Sequence, residues 1–156
     1  MPSWKIHLIF DLIFVIVFVE FLIKNTLIND IFLLIFLVSF NILATLFPDI
    51  DTPKSKIRKY ISLILALIFS GYLIINFSFN SFFSLIIILF LFYLIIRFFP
   101  TKHRGMTHTF WFSVVFSLGL TIIFWLMFEI SLFEFGVSFL VIFWGYLSHL
   151  ILDKIT

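Results

Sequence analysis

Cysteine is absent from the 156 residues. Disulfides, Cys-ligated zinc sites and thiol nucleophiles are therefore excluded. A metal site would have to combine imidazole nitrogen with carboxylate or carbonyl oxygen. Charge is scarce as well. Only 12% of the chain is Asp, Glu, Lys or Arg, against 63% hydrophobic residues, where a soluble domain carries about 25% and about 45–50%. A soluble fold of this length could not hide so much apolar surface, because small domains leave much of it exposed. Two catalytic signatures are also missing. Without HExxH there is no support for zincin-type proteolysis, and without GxSxG there is none for a serine hydrolase of the nucleophile-elbow type. A lipid-phosphatase site with a nucleophilic His would want a PSGH-like block, and residues 143–148 read "FWGYLS".

What is present is a series of apolar runs. A helix crossing a bilayer needs about 20 largely apolar residues. Six segments meet or approach that length: 6–23, 31–47, 60–76, 81–99, 109–128 and 135–152. The expected fold is an all-α bundle of about six transmembrane helices in a single membrane-embedded domain, with no internal repeat. The opening "MPSWKIHLIFDLIFVIVFVEF" lacks a small-residue cleavage site and reads as an uncleaved first span. The 26 Phe read as lipid-facing filler.

Six spans place both termini on one side, together with the second-to-third and fourth-to-fifth connections. Nine of the ten Lys and Arg residues then fall on that side, with Lys24 alone opposite. This positive-inside bias makes that side cytoplasmic. The expected location is the cytoplasmic (inner) membrane. The basic run "KSKIRK" (54–59) reads as a headgroup and topology anchor. It is too short, and too close to a membrane, to read as a nucleic-acid surface.

All four histidines, His7, His103, His108 and His149, fall at the cytoplasmic end, as do Asp11, Asp49, Asp51 and Asp153. Ionisable residues at a membrane are costly, about 2.5–3.5 kcal/mol each at the bilayer centre, so their gathering at one end points to a shared polar site. His7 and Asp11, and His149 and Asp153, are i, i+4 pairs on one helical face. Either pair could share a metal, or the Asp could hold the His ring from behind. Asp49 and Asp51 follow a helix stopped near Pro48. Read as extended chain, that segment turns both carboxylates the same way. His103 and His108 flank "RGMT", where Gly105 permits a tight turn and Thr107 is placed to cap the following helix. Each feature has a plainer reading: a lone interfacial His is an anchor, and an isolated Asp is a cap. The joint occurrence favours a site.

The stretches "LFPDIDTPKS", "HRGMTHTFWF" and "GYLSHLILDKIT", with an early "KIHLIFDL", resemble the YdjM-type family of inner-membrane-associated metal-dependent hydrolases, some of them linked to LexA control. The family shows an early His, a PDIDHP-like loop, an HRGxTH block and a GYxSHLxxD block in this order, and the resemblance covers nearly the whole chain. It implies metal ligation by His7, Asp49, Asp51, His103, His108, His149 and Asp153. Two positions depart from the pattern. Thr52 stands where many members have His, and Asp11 stands where a small or apolar residue is expected, either compensating or orienting His7.

The sequence thus supports a membrane-bound metal-dependent hydrolase acting on a phosphoester or another lipid-like amphiphile. Zn²⁺ is the expected metal, with Mn²⁺ or Fe²⁺ as alternatives. An uncoordinated Asp49 or Asp51 would act as general base. Arg104, with Lys102 and Lys54 nearby, would receive a phosphate, while Asp11, Lys54 and Thr107 would support the site from behind. The alternative is a non-catalytic membrane protein that binds or transports metal or acts as a scaffold. The expected partners are the lipid bilayer and an amphiphilic substrate.

Overall fold

The computed structural model describes residues 4–25, 27–28, 30–51, 60–61, 64–65 and 105–155. The chain divides into two compact units: Met1–Pro48 with Met106–Thr156, and Asp49–Gly105. The first unit contains four helices: α1 (Trp4–Lys24), α2 (Ile31–Leu46), α3 (Phe110–Phe128) and α4 (Leu132–Ile155). Each is long and apolar enough to cross a membrane, α2 when its following turn to Ile50 is included. These match four of the six expected spans within a few residues. The other two, 60–76 and 81–99, fall almost wholly outside the described residues. Among the described residues the fold is entirely helical.

Local chemistry sets the helix ends. Asp30 caps α2, its Oδ1 accepting from the Phe32 and Leu33 amides at 2.8 and 3.4 Å. "SLFE" forms a reciprocal capping box at the start of α4. The Ser131 amide donates to Glu134 Oε2 at 2.8 Å, and the Glu134 amide donates back to Ser131 Oγ at 3.3 Å. At the end of α3, Glu129 adopts a left-handed conformation (φ 49°) and its amide closes on Trp125 O, a termination more usual for glycine.

The packing is that of a membrane bundle, polar within and apolar without. In α2, 67% of the most apolar stretch is buried, against 22% in α1. Thus α2 is central and α1 peripheral. The outer face of α1 presents Ile9, Ile13, Ile16 and Val17, side chains that suit lipid. Its buried line is His7, Asp11, Val15 and Leu22, so the two ionisable groups lie inward. The other helices follow the same rule, burying Asn41 and Thr45 on α2, Ser113, Ser117 and Thr121 on α3, and Ser138, Ser148 and His149 on α4. Small and hydroxyl side chains let helix backbones approach closely. Gly145 of α4 is the clearest case: a Cβ there would sit 2.7 Å from the backbone oxygen of Asn41.

Candidate metal centre

The beginning of α1, the end of α2, the turn before α3 and the end of α4 converge at one end of the first unit. His7 comes from the second turn of α1, where its ring lies flat on that of His149, with centroids 4.0 Å apart and planes at 14°. His149 lies on α4, one turn before Asp153. The Asp153 carboxylate faces all three imidazoles of this unit. Its Oδ1 is 3.5 Å from His7 Nε2, and its Oδ2 is 3.1 Å from His108 Nε2 and 3.7 Å from His149 Nε2. His7 and His149 are fully buried, and the Asp153 side chain is 9% exposed.

These distances fit a cation. Nitrogen and oxygen ligands about 2.0–2.2 Å from a tetrahedral ion lie about 3.3–3.6 Å from one another, and the three separations bracket that value. His7, His149 and Asp153 offer one ligand atom each, all within 4.8 Å of one another.

Backbone carbonyls and a tyrosine hold the imidazoles in place. His149 Nδ1 lies 2.9 Å from Thr45 O. A carbonyl only accepts, so Nδ1 carries a proton and Nε2 is the atom turned toward Asp153. The imidazole nitrogen and the carboxylate oxygen face each other at 3.7 Å, a separation that suits two ligands of one cation. The Thr45 carbonyl belongs to the last turn of α2, where backbone oxygens have no intrahelical donor and the helix dipole favours positive charge. His108 sits in a short 3₁₀ turn, Met106–His108. Its Nδ1 is 3.2 Å from Thr107 Oγ1, while Tyr146 Oη donates to Thr107 O at 2.7 Å. Tyr146, itself buried, thereby fastens the histidine turn to α4.

Three expectations about geometry are corrected. Thr107 does not cap α3. The cap is Thr109, whose Oγ1 accepts from the Phe112 amide at 3.3 Å, because the 3₁₀ turn uses the intervening residues. Asp11 does not hold His7. Its carboxylate accepts from Thr45 Oγ1 at 2.7 Å and from Asn41 Nδ2 at 3.5 Å. The segment after α2 is not extended. It is a 3₁₀ helix over Phe47–Asp51, as the fixed φ of Pro48 permits near a helical turn. Extended alternation therefore does not apply to this segment.

Of the expected site residues, the structure brings together His7, His108, His149 and Asp153, with Thr107 beside His108. Asp49 belongs to the second unit. The Asp51 side chain and the whole of Thr52, Lys54, Lys102, His103 and Arg104 lie outside the described residues. Three participants escaped sequence reading: Thr45, Tyr146 and Asn41. Asn41 and Thr45 are polar residues spaced i, i+4 within the largely apolar α2, a signal that could have identified them.

The model of the YdjM inner membrane protein family covers residues 1–156, the whole chain. No curated protein and no solved structure matches.

Proposed function

The chain belongs to the YdjM inner membrane protein family, and from that membership and the His–Asp cluster we propose a membrane-embedded, metal-dependent hydrolase. The observation that carries the reading is that His7, His149 and Asp153 offer one ligand atom each within 4.8 Å of one another, a spacing open to a single ion. His7, His149 and Asp153 would hold a divalent cation, with His108 beside them against Asp153. Zn²⁺ suits imidazole plus carboxylate best, and Mn²⁺ or Fe²⁺ suit the same donors. A bound cation of this kind supplies Lewis acidity and brings the pKa of a water to near 7.

The remaining roles fall to the protein. His149 enters with Nε2 presented and Nδ1–H held by Thr45 O, and His108 is oriented by Thr107 and Tyr146. Asp49 or Asp51 of the second unit would take the proton from water as general base or add a ligand oxygen. Arg104, with Lys54 and Lys102, would receive the phosphate of an amphiphilic phosphoester. The bias of basic residues supports a site and both termini on the cytoplasmic side. The ends of α1 and α4 that carry His7 and Asp153 meet, in keeping with that arrangement.

The test is metal content of the detergent-purified protein, followed by turnover of a phospholipid and phosphodiester panel with Zn²⁺ or Mn²⁺. Stoichiometric metal and metal-dependent turnover, both lost in Asp153→Asn, are expected. Metal without turnover would leave a non-catalytic binding or transport protein. One observation favours that second reading: the buried hydroxyls of Ser113, Ser117 and Thr121 recur every fourth residue on α3. Uptake of metal into sealed vesicles separates the two.

A further inference from the structure

Asp11 has no place in the ligand set and stands where a small or apolar residue was expected, yet it is fully buried on the inward line of a largely exposed helix. It lies one turn beyond His7 on the same face of α1, about 6 Å along the helix axis. Both of its oxygens are engaged by neutral donors, Thr45 Oγ1 at 2.7 Å and Asn41 Nδ2 at 3.5 Å. Among the described residues no Lys or Arg forms an ion pair with it. Further along the inward line of α1 come Val15 and Leu22, which offer nothing positive.

Hydrogen bonds from a hydroxyl and an amide satisfy lone pairs, but they leave the charge of a buried carboxylate uncompensated, and burying a charge without a counterion is costly. The nearest seat for positive charge among the described residues is the imidazole–carboxylate cluster. Within this unit that cluster holds three histidines and one carboxylate, so a divalent cation seated there exceeds the negative charge of Asp153. Asp11 is close enough to act on that excess through a low-dielectric interior. With both oxygens turned to Thr45 and Asn41, it stands outside the coordination shell. Thr45 strengthens the link, its hydroxyl bound to Asp11 and its carbonyl to His149 Nδ1.

We propose that Asp11 is the outer countercharge of the cation site: a positioning carboxylate that binds no metal itself and tightens the hold of His7, His149 and Asp153 on a divalent cation. This rests on the metal-centre reading above. The effect belongs to Asp11's own charge, whatever further carboxylates coordinate, and is read by its own substitution.

The experiment is Co²⁺ titration of the full-length protein in nanodiscs, followed by visible absorption, for wild type, Asp11→Asn, Asp11→Glu and Asp11→Ala. Asp11→Asn keeps an acceptor for Thr45 and removes the charge. It should leave the Co²⁺ band positions unchanged while weakening affinity about 10- to 100-fold, the range for partners behind metal ligands. The melting temperature of the metal-free protein should stay the same or rise, because an uncompensated buried charge is gone. Asp11→Glu should recover part of the affinity, and Asp11→Ala should lose both affinity and stability. Wild-type affinity in Asp11→Asn would overturn the countercharge alone. So would altered Co²⁺ bands, which would make Asp11 a ligand, or a metal-free protein that melts early or fails to fold, which would make it structural. A wild type that takes up no Co²⁺ would remove the metal centre and this proposal together.

Discussion

His149 Nδ1 on α4 donates to the Thr45 carbonyl on α2 across 2.9 Å, and this one bond decides which face the imidazole shows to Asp153. It joins the two helices that flank the site and occupies a carbonyl left open where α2 ends. The first prediction follows from it. His149→Ala should abolish stoichiometric metal binding, measured by elemental analysis of the purified protein. His149→Gln, which keeps polarity but not the imidazole pair of donor and lone pair, should do so as well. Thr45→Val should be milder. It retains the carbonyl and removes the hydroxyl that Asp11 accepts from, so metal should weaken without being lost.

A second prediction concerns Tyr146. Its hydroxyl donates to Thr107 O at 2.7 Å, and its ring packs among Phe47, Phe112 and Phe116. Tyr146→Phe keeps the ring and leaves a buried carbonyl unsatisfied, which costs about 1–3 kcal/mol. Thermal unfolding in detergent should show the loss. Because the same bond fastens the turn that carries His108, metal affinity should fall about 10-fold or more. A drop in stability with unchanged affinity would mean that His108 is not held through Thr107.

Both residues show what sequence could and could not reveal. The spans α1, α2, α3 and α4 were legible because bilayer crossing demands about 20 apolar residues, a requirement of composition alone. His7, His108, His149 and Asp153 were legible because ionisable groups at a membrane are conspicuous. Their supports were less visible. The Thr45 group that holds His149 is a backbone carbonyl, which every residue carries, so nothing in the side chain marks it; Thr107, expected behind the site, reaches His108 with its hydroxyl. The extended conformation expected for Asp49–Asp51 failed for a different reason. A proline after a helix fits either a stop or one more tight turn, and here the chain continues as a 3₁₀ helix over Phe47–Asp51. Asp11 was noticed as an exception, but its partners on α2, Asn41 and Thr45, are 30 and 34 residues away. No local pattern announces contacts at that range.

A third prediction separates the two ends of the bundle. The Ser131–Glu134 box starts α4 at the end remote from Asp153, with Ser131 exposed and Glu134 half-buried. Ser131→Ala should cost about 1 kcal/mol of stability, read as a lower melting temperature, with metal content and affinity unchanged. This makes it a control for the site variants: a loss of metal here would mean that general destabilisation empties the cluster.

The last prediction tests whether helix approach sets the site. Gly145 is where α4 lies against α2. An added Cβ would stand 2.6 Å from Asn41 Nδ2, 2.7 Å from Asn41 O and 2.9 Å from Thr45 Oγ1. The Asn41 amide cannot swing away freely, because Nδ2 also donates to Val141 O at 2.7 Å, and the Asn41 carbonyl is backbone. Gly145→Ala must therefore push the helices apart. Overpacking of this kind costs about 1–3 kcal/mol, even though alanine is the better helix former. The separation acts one turn from His149, so the Nδ1–Thr45 bond should lengthen and metal affinity should fall along with stability. Gly119 and Gly136 have open space where a Cβ would go, so Gly119→Ala and Gly136→Ala should be neutral or slightly stabilising. Parallel melting curves and metal titrations of the three variants are the measurement. Equal behaviour at all three positions would show that the α2–α4 approach does not govern the centre.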